Sequence, residues 1–192
     1  SIRTDREISL ISASCQIVAD TLNMLSEHVR PGIKIIDLDQ MAEEFILSKG
    51  ARPAFKGYMG FPSTLCVSVD DEVVHGIPSD KFLEDGQIVG IDCGAEKEGY
   101  YGDHAITFSV GNVSESRQKL MKTTKDCLTK GIAEAKPGNY VSDIGYAIQS
   151  HAEKNGYSVV RELVGHGIGS NLHEEPQIPN YGHPKQGYKL CE

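Results

Sequence analysis

The sequence predicts an α+β fold made of two similar halves within one domain. Helix-period patterns alternate with short apolar and β-branched runs, the helix punctuation recurs at a fixed offset, and no linker-like segment separates the halves. We therefore expect residues 1–192 to form a single domain, with a first half of about 1–111 and a second half of about 112–192.

The first half opens with two predicted amphipathic helices. Thr4 and Glu7 have the spacing of a capping box, and apolar residues then recur at intervals of three and four until Pro31-Gly32. Asp37 is predicted to cap the second helix, which ends at Gly50. The predicted apolar faces are Ile8, Ile11, Cys15, Val18, Leu22 and Leu25 in the first helix, and Leu38, Met41, Ala42, Phe45 and Ile46 in the second.

Three strand-like runs follow, at residues 64–69, 87–93 and 100–110. Each is rich in apolar and β-branched residues. Glu96-Lys97-Glu98-Gly99 lies between the last two runs and suits a four-residue turn, so these runs are predicted to pair as an antiparallel hairpin.

The second half returns to helices. Ser114 is predicted to cap a third helix, which ends at Pro137-Gly138, and Asp143 is predicted to start a fourth, which stops at Gly156. The residues of the third helix that are predicted to face the core are Leu120, Met121, Leu128 and Ile132.

An internal repeat relates the two halves. Sliding the sequence against itself by 106 residues gives four identities: Pro31 with Pro137, Gly32 with Gly138, Asp37 with Asp143, and Gly50 with Gly156. The order of helix, Pro-Gly stop, capped helix and Gly stop matches as well as the spacing. We therefore favour a duplication over a chance recurrence of helix punctuation.

The composition is that of an ordinary globular protein. Nineteen Lys and Arg against 27 Asp and Glu give a net charge of −8, which argues against wrapping nucleic acid or coating an anionic membrane. The apolar runs are much shorter than the ~20 residues of a membrane span, so we expect no membrane-spanning segment. The 5 cysteines show no Cys-x-x-Cys pair, which suits free thiols in the cytoplasm.

The predicted hairpin brings two carboxylates together. If Ala95 pairs with Tyr100, Asp92 lies directly opposite Asp103 on one strand face, where like charges are destabilising. Three explanations compete: another register that leaves each Asp solvated, two carboxyls that share a proton, or one or two divalent cations bridged by the pair. We favour the cation, because it turns the repulsion into binding energy.

Histidines beside glycine are the candidate partners of this pair. His166 lies within Gly165-His166-Gly167-Ile168-Gly169, His173 begins His173-Glu174-Glu175-Pro176, and His75 precedes a glycine in a turn-like segment. Imidazole combined with carboxylate suits Mn²⁺, Fe²⁺, Co²⁺ or Zn²⁺. The histidines predicted to lie outside the site are His28, His104, His151 and His183.

Three ordered blocks of the sequence carry a family resemblance. They are Cys66-Val67-Ser68-Val69-Asp70-Asp71-Glu72-Val73-Val74-His75-Gly76-Ile77-Pro78, the hairpin from Asp92 to Asp103, and the block from Gly165 to Pro176. In order and spacing they resemble type I methionine aminopeptidases, and the resemblance covers essentially the whole chain. It implies the pita-bread fold, in which two pseudo-symmetric α+β halves surround a central antiparallel sheet.

The resemblance implies a site with two divalent metal ions. Asp92 would bind one ion, Asp103 would bridge two, and His166 would be the imidazole ligand of the other. His173 would contact the substrate amide and stabilise the developing oxyanion, and His75 would contact the peptide near the leaving amine. Water activated by metal would attack the carbonyl that follows the initiator methionine.

The resemblance also implies a methionine pocket and a biological setting. The pocket would be lined by Phe55, Tyr58, Phe61 and Cys66, for which core packing is the alternative role. The substrates would be nascent polypeptide N-termini, or peptides with a small second residue, and contact with the ribosome stays open. The chain is expected to be a cytoplasmic monomer.

Two ligand glutamates of the family are not found within the 192 residues. Lys189-Leu190-Cys191-Glu192 resembles the stretch just before the first of them, so the second half is expected to be C-terminally truncated. Two other functions stay open: an Xaa-Pro hydrolase like prolidase or aminopeptidase P, and a non-catalytic pita-bread binding module.

Overall fold

The computed structural model, which describes residues 2–191, combines α-helices with antiparallel β-strands. In chain order the elements are α1 (Asp5–Ser26), α2 (Ile35–Ser48), β1 (Arg52–Pro53), β2 (Leu65–Val69), β3 (Ile88–Lys97), β4 (Tyr100–Ser109), α3 (Glu115–Glu134), α4 (Val141–Lys154), β5 (Gly165–Gly167) and β6 (Glu174–Ile178). A short 3₁₀ turn, Tyr58–Gly60, lies between β1 and β2.

The chain divides into two compact units. The hairpin unit contains Arg3–Glu115 and Ile168–Leu172, and the histidine unit contains Ile2 with residues 116–167 and 173–191. In the hairpin unit β3 is central, because β4 pairs along one edge while β2 and β1 share the other. The histidine unit holds the two-stranded sheet of β5 and β6. The single-domain expectation stays a prediction.

The two faces of the sheet in the hairpin unit differ in chemistry. Successive side chains of a strand point to opposite faces, so Val89, Ile91 and Cys93 share one face, and Asp92 and Gly94 share the other. The first face packs into the main hydrophobic core, where each large side chain contributes roughly 1.5–3 kcal/mol by its burial. Its fully buried helix residues are Val18, Leu22, Leu25, Leu38, Ala42 and Ile46. We call the opposite face the carboxylate face.

The turn of the hairpin is shorter than predicted. Lys97 pairs with Tyr100 around two residues, not four. Glu98 and Gly99 both have positive φ, at 53° and 84°, which is typical of a type I′ turn. Two-residue turns of this type are favoured because their twist matches that of the paired strands.

The shorter turn changes the strand register by two residues. Asp92 pairs with Ala105, and Asp103 pairs with Gly94, so the predicted direct opposition of the two aspartates is wrong. A shift of two residues leaves every side chain on its original face. Asp92 and Asp103 therefore share the carboxylate face as predicted, but they are diagonal neighbours.

Asp37, which was predicted to cap α2, and Asp143, which was predicted to start α4, both lie inside these helices. The caps are Lys34 and Tyr140, so Asp37 and Asp143 are the third helical residues. The carboxylate of Asp143 accepts a hydrogen bond from the Tyr140 backbone N–H at 2.7 Å. An acidic side chain in the first turn also interacts favourably with the helix dipole, which explains the signal that the sequence carries there.

The start of α1 was predicted correctly. Thr4 Oγ1 accepts from the Glu7 N–H at 3.3 Å, and Glu7 Oε2 accepts from the Thr4 N–H at 2.8 Å, which together form the capping box. Of the predicted apolar face, Val18, Leu22 and Leu25 are fully buried. Ile8 and Cys15 are exposed, so that part of the prediction is wrong.

The predicted inward face of α3 is also wrong. Leu120, Leu128 and Ile132 are exposed, and the buried residues of this helix are Thr123, Cys127 and Gly131. A Cβ added at Gly131 would lie 3.0 Å from the Ile148 side chain of α4. The small residue on this face leaves room for the Ile148 side chain, whereas apolar periodicity alone favours the bulkier side chains.

The internal repeat is visible in the elements. Helices α2 and α4 each contain 14 residues and begin 106 residues apart. The residue before each helix forms an isolated antiparallel bridge with a distant segment, Lys34 with Phe82 and Tyr140 with Lys189. Each half therefore fixes the start of its second helix in the same way.

By length and composition alone, α1 is the one helix within residues 2–191 that meets the criteria for a membrane span. Core helices meet the same criteria. The buried residues of α1 pack against β3 and β4 in the hairpin unit, as those of a core helix do.

The close packing of α1 on the hairpin depends on Gly102 of β4. A Cβ at Gly102 would lie 2.5 Å from the Cys15 backbone nitrogen, so Gly102→Ala is expected to lower the free energy of unfolding by about 1–3 kcal/mol. Gly90→Ala is the matched control, since its Cβ would meet its nearest neighbour at 3.7 Å. Urea denaturation measures both variants, and equal midpoints would contradict the close packing.

Candidate metal centre

The carboxylate face carries two acidic side chains in contact. Asp92 of β3 and Asp103 of β4 are joined by a hydrogen bond between their carboxyl groups. Burial, followed by the charge and the hydrogen bond of Asp103, raises the pKa of Asp92 to about 8. Without a cation, Asp92 therefore holds a proton at neutral pH.

A divalent cation fits this pair of donors. Carboxylate oxygens are the ligands that hard and borderline cations accept, and a positive charge would offset both the burial and the mutual repulsion that raise the pKa of Asp92.

The two carboxyl groups also raise the pKa of a neighbouring thiol, that of Cys66, which pairs with Asp92 in the sheet. Its thiol pKa is raised to about 12, by burial first and then by Asp92 and Asp103, so this thiol stays protonated at neutral pH.

An apolar cluster adjoins the carboxylates within the hairpin unit. Phe55, Cys66 and Leu172 are buried together, and Phe61 packs against them. Tyr58, which was predicted with this group, lies in the 3₁₀ turn and is 39% exposed. The cluster could receive an apolar side chain next to the acidic pair.

His75 lies in an exposed segment with an unusual backbone. Its φ of 61° is uncommon for a residue with a side chain, and such conformations concentrate at functional sites. The next residue fixes the segment on β2: the Gly76 carbonyl accepts from the Val67 N–H at 2.8 Å, and the Gly76 N–H donates to Ser68 Oγ at 3.2 Å. A Cβ at Gly76 would lie 2.1 Å from the Val67 carbonyl oxygen, so only glycine permits this approach.

His166 and His173 lie together in the histidine unit. Their ring centroids are 4.2 Å apart. The Nδ1 atom of His166 lies 2.9 Å from the Gly167 carbonyl oxygen, which requires the proton on Nδ1 and leaves the lone pair on Nε2. A Cβ at Gly167 would lie 2.6 Å from the Glu175 carbonyl oxygen, so this glycine is required for close approach between β5 and β6.

The described residues bring the predicted site residues together in pairs. Asp92 contacts Asp103 in the hairpin unit, and His166 contacts His173 in the histidine unit. Across residues 2–191, no group of three or more His, Cys, Asp or Glu side chains is arranged to hold a metal ion. The histidine unit also has a cavity of about 610 Å³ beside α4, but its lining includes neither His166 nor His173.

Several residues near the carboxylates were missed by sequence reasoning. Ala54, Leu172 and the partly buried Tyr101 and Ile168 belong to the apolar cluster. The Tyr101 N–H donates to the Gly169 carbonyl at 2.9 Å. This bond holds the segment Ile168–Leu172, which follows His166 and precedes His173, against β4 within the hairpin unit. The available signals were the positions of Tyr101 and Ile168 within blocks that the sequence analysis singled out, and that of Leu172 beside His173.

Comparisons with known proteins identify relatives of nearly the whole chain. A profile of metallopeptidase family M24 matches residues 9–192. Methionine aminopeptidase 1 of Bacillus subtilis (strain 168) is 50% identical over 188 residues, which are 98% of this chain and 76% of that protein. The crystal structure of methionine aminopeptidase from Rickettsia prowazekii matches with a TM-score of 0.98 at 42% identity and covers 100% of this chain and 77% of that one. Prolidase from Pyrococcus furiosus matches with a TM-score of 0.83 at 25% identity, over 98% of this chain and 55% of that one.

Proposed function

The chain belongs to metallopeptidase family M24, and from this membership we propose that it releases the initiator methionine from polypeptides with a small second residue. It has the pita-bread fold of the solved structures that it matches. The observation that carries the proposal is the partly buried Asp92–Asp103 pair beside an apolar cluster, in a chain 50% identical to a methionine aminopeptidase.

The proposed metal ligands are Asp92, Asp103 and His166, which would hold two divalent cations of the Mn²⁺, Fe²⁺, Co²⁺ or Zn²⁺ class. When bound, such cations act as Lewis acids on the scissile carbonyl and supply a nucleophile at neutral pH. The partly buried carboxylates contribute charge and fixed position, because β3 and β4 are paired along their whole length. The Nδ1 contact of His166 presents its Nε2 in the form that binds metal.

The chain's other residues would bind and orient the substrate. The methionine side chain would enter the cluster of Phe55, Phe61 and Cys66, with Tyr58 at its exposed edge. His173 would donate a hydrogen bond to the substrate carbonyl as negative charge develops there. The exposed His75 would hold or deliver a proton near the leaving amine.

The setting of the reaction is also a proposal. The substrates would be nascent chains or peptides in the cytoplasm, and the protein would act as a monomer. Free thiols fit a reducing compartment, and within residues 2–191 all of the cysteines are free.

The proposal is tested by incubating the full chain with Mn²⁺ or Co²⁺ and a Met-Ala-Ser peptide. We expect free methionine, measured by mass spectrometry, and no release after chelation of the metal. An Xaa-Pro peptide serves as the comparison substrate. Faster cleavage of this peptide than of Met-Ala-Ser would favour the prolidase alternative, which the similarity to prolidase from Pyrococcus furiosus supports. Calorimetry with Mn²⁺ addresses the non-catalytic alternative: two tightly bound ions per chain would argue against it.

A further inference from the structure

Gly94 occupies a central position on the carboxylate face. It lies on β3 two residues after Asp92, and it pairs directly with Asp103 of β4. Its backbone is ordinary β-strand, so the glycine is not needed for its conformational freedom. A strand glycine of this kind usually marks a place where another part of the chain approaches closely.

The approaching segment is Ala54 and Phe55, which follow β1. The Ala54 N–H donates to the Gly94 carbonyl at 2.9 Å, and this bond holds the segment against the strand. A Cβ built on Gly94 would lie 2.6 Å from Phe55 Cε1 and 3.0 Å from the Ala54 Cβ. Carbon atoms in contact are separated by about 3.5–4.0 Å, so any side chain at this position would push the Phe55 ring away by about 1 Å.

The displaced ring has little room elsewhere. Phe55 is 9% exposed and is packed in the cluster with Cys66 and Leu172. Close-packed side chains cannot absorb a shift of this size without changing the space around them. A ring moved off the strand would enter the space that an apolar substrate side chain needs.

We propose that Gly94 is a specificity-determining residue, which sets the depth of the pocket for the first substrate residue by seating the Phe55 ring directly on β3. The inference rests on the proposed function, because it takes the Phe55 cluster as the methionine pocket. It predicts that a side chain at position 94 makes the pocket shallower while the carboxylate pair keeps its affinity for metal.

The experiment compares Gly94→Ala with Gly90→Ala. Both glycines lie on the same face of β3, but a Cβ at Gly90 would meet its neighbours at 3.7 and 3.9 Å, which are ordinary contacts. The full chain is assayed with Mn²⁺ on Met-Ala-Ser and on norvaline-Ala-Ser, whose first side chain is shorter. For Gly94→Ala we expect KM for the methionine peptide to rise, and the kcat/KM ratio of methionine to norvaline peptide to fall about tenfold. Gly90→Ala should keep the parent ratio.

Two further measurements separate pocket depth from a general structural effect. Phe55→Leu combined with Gly94→Ala should restore the preference for methionine, because the smaller side chain removes the clash. The Mn²⁺ affinity of Gly94→Ala, measured by calorimetry, should equal that of the parent. An unchanged peptide ratio in Gly94→Ala, or a loss of Mn²⁺ affinity without a change in that ratio, would overturn the inference.

Failure of the proposed function gives a different result. If the parent chain with Mn²⁺ does not cleave Met-Ala-Ser, that function fails, and binding of free L-methionine and L-norvaline to the Mn²⁺-loaded chain then tests the pocket by itself. Weaker methionine binding in Gly94→Ala than in Gly90→Ala supports the role of Gly94. Equal methionine binding in the two variants contradicts it.

Discussion

Asp92→Ala is expected to abolish both metal binding and peptide cleavage. The substitution removes one carboxylate of the partly buried pair, and the remaining Asp103 cannot supply the charge or the number of ligands that a divalent cation requires. We expect Mn²⁺ affinity to fall by at least about 10–100-fold and methionine release to fall below detection. Calorimetry with Mn²⁺ and the Met-Ala-Ser assay measure the two effects.

The matched control for this prediction is Asp126→Ala. Asp126 is an acidic residue on the surface of α3, where it pairs with Lys122, so its loss changes the net charge by the same amount. It should bind Mn²⁺ and cleave the peptide as the parent does. If the two variants behave alike, the role of Asp92 reflects general charge, and the proposed metal centre is wrong.

The metal-free protein is expected to lose stability as the pH rises from about 4 to about 8. In the folded chain the pKa of Asp92 is raised from 3.8 to about 8, so the folded state holds a proton through this range and the unfolded state does not. Stability falls wherever the folded state binds more protons, by on the order of 1 kcal/mol for each pH unit across the window. Below the unfolded pKa the penalty is absent, and above the folded pKa it is complete and constant.

Urea denaturation in a chelating buffer, repeated from pH 4 to pH 9, measures this dependence. Asp92→Asn should flatten the curve, because the amide cannot ionise. Saturating Mn²⁺ should oppose the loss of stability at pH 8, since a cation that binds only the folded state stabilises it. A parent curve that rises between pH 5 and pH 8 would show that the pair is not buried in the way described.

The sequence predicted the helices best where large apolar residues form the buried face. Helix α2 follows this rule, because Leu38, Ala42 and Ile46 are both periodic and buried. Helix α3 does not, because its buried residues are Thr123, Cys127 and Gly131, of which Cys127 and Gly131 contact Ile148 of α4. A helix face that accommodates a neighbouring side chain has small residues, and hydrophobic periodicity does not detect such a face.

For the candidate metal centre, the sequence predicted which strand face carries the two aspartates but not their register. Strand alternation, combined with a register that is off by an even number of residues, places Asp92 and Asp103 on one face, and that prediction is confirmed by the pairing. Their exact register depends on the φ angles of Glu98 and Gly99, which the composition of the turn did not reveal. The packing of Leu172 beside Phe55 joins segments more than a hundred residues apart, so no local pattern could indicate it.

The bridges that precede α2 and α4 bring acceptors to the N–H groups at the start of each helix. The first N–H groups of a helix have no partner within the helix. The Ile35 N–H donates to the Lys81 carbonyl at 2.9 Å, and the Val141 N–H donates to the Tyr188 carbonyl at 2.9 Å. In each repeat, a segment 46 or 47 residues further along the chain therefore accepts the hydrogen bond from the first N–H group of the helix. The amide hydrogens at the start of each helix should therefore become protected from solvent exchange only when the distant segment that accepts their hydrogen bond is in place.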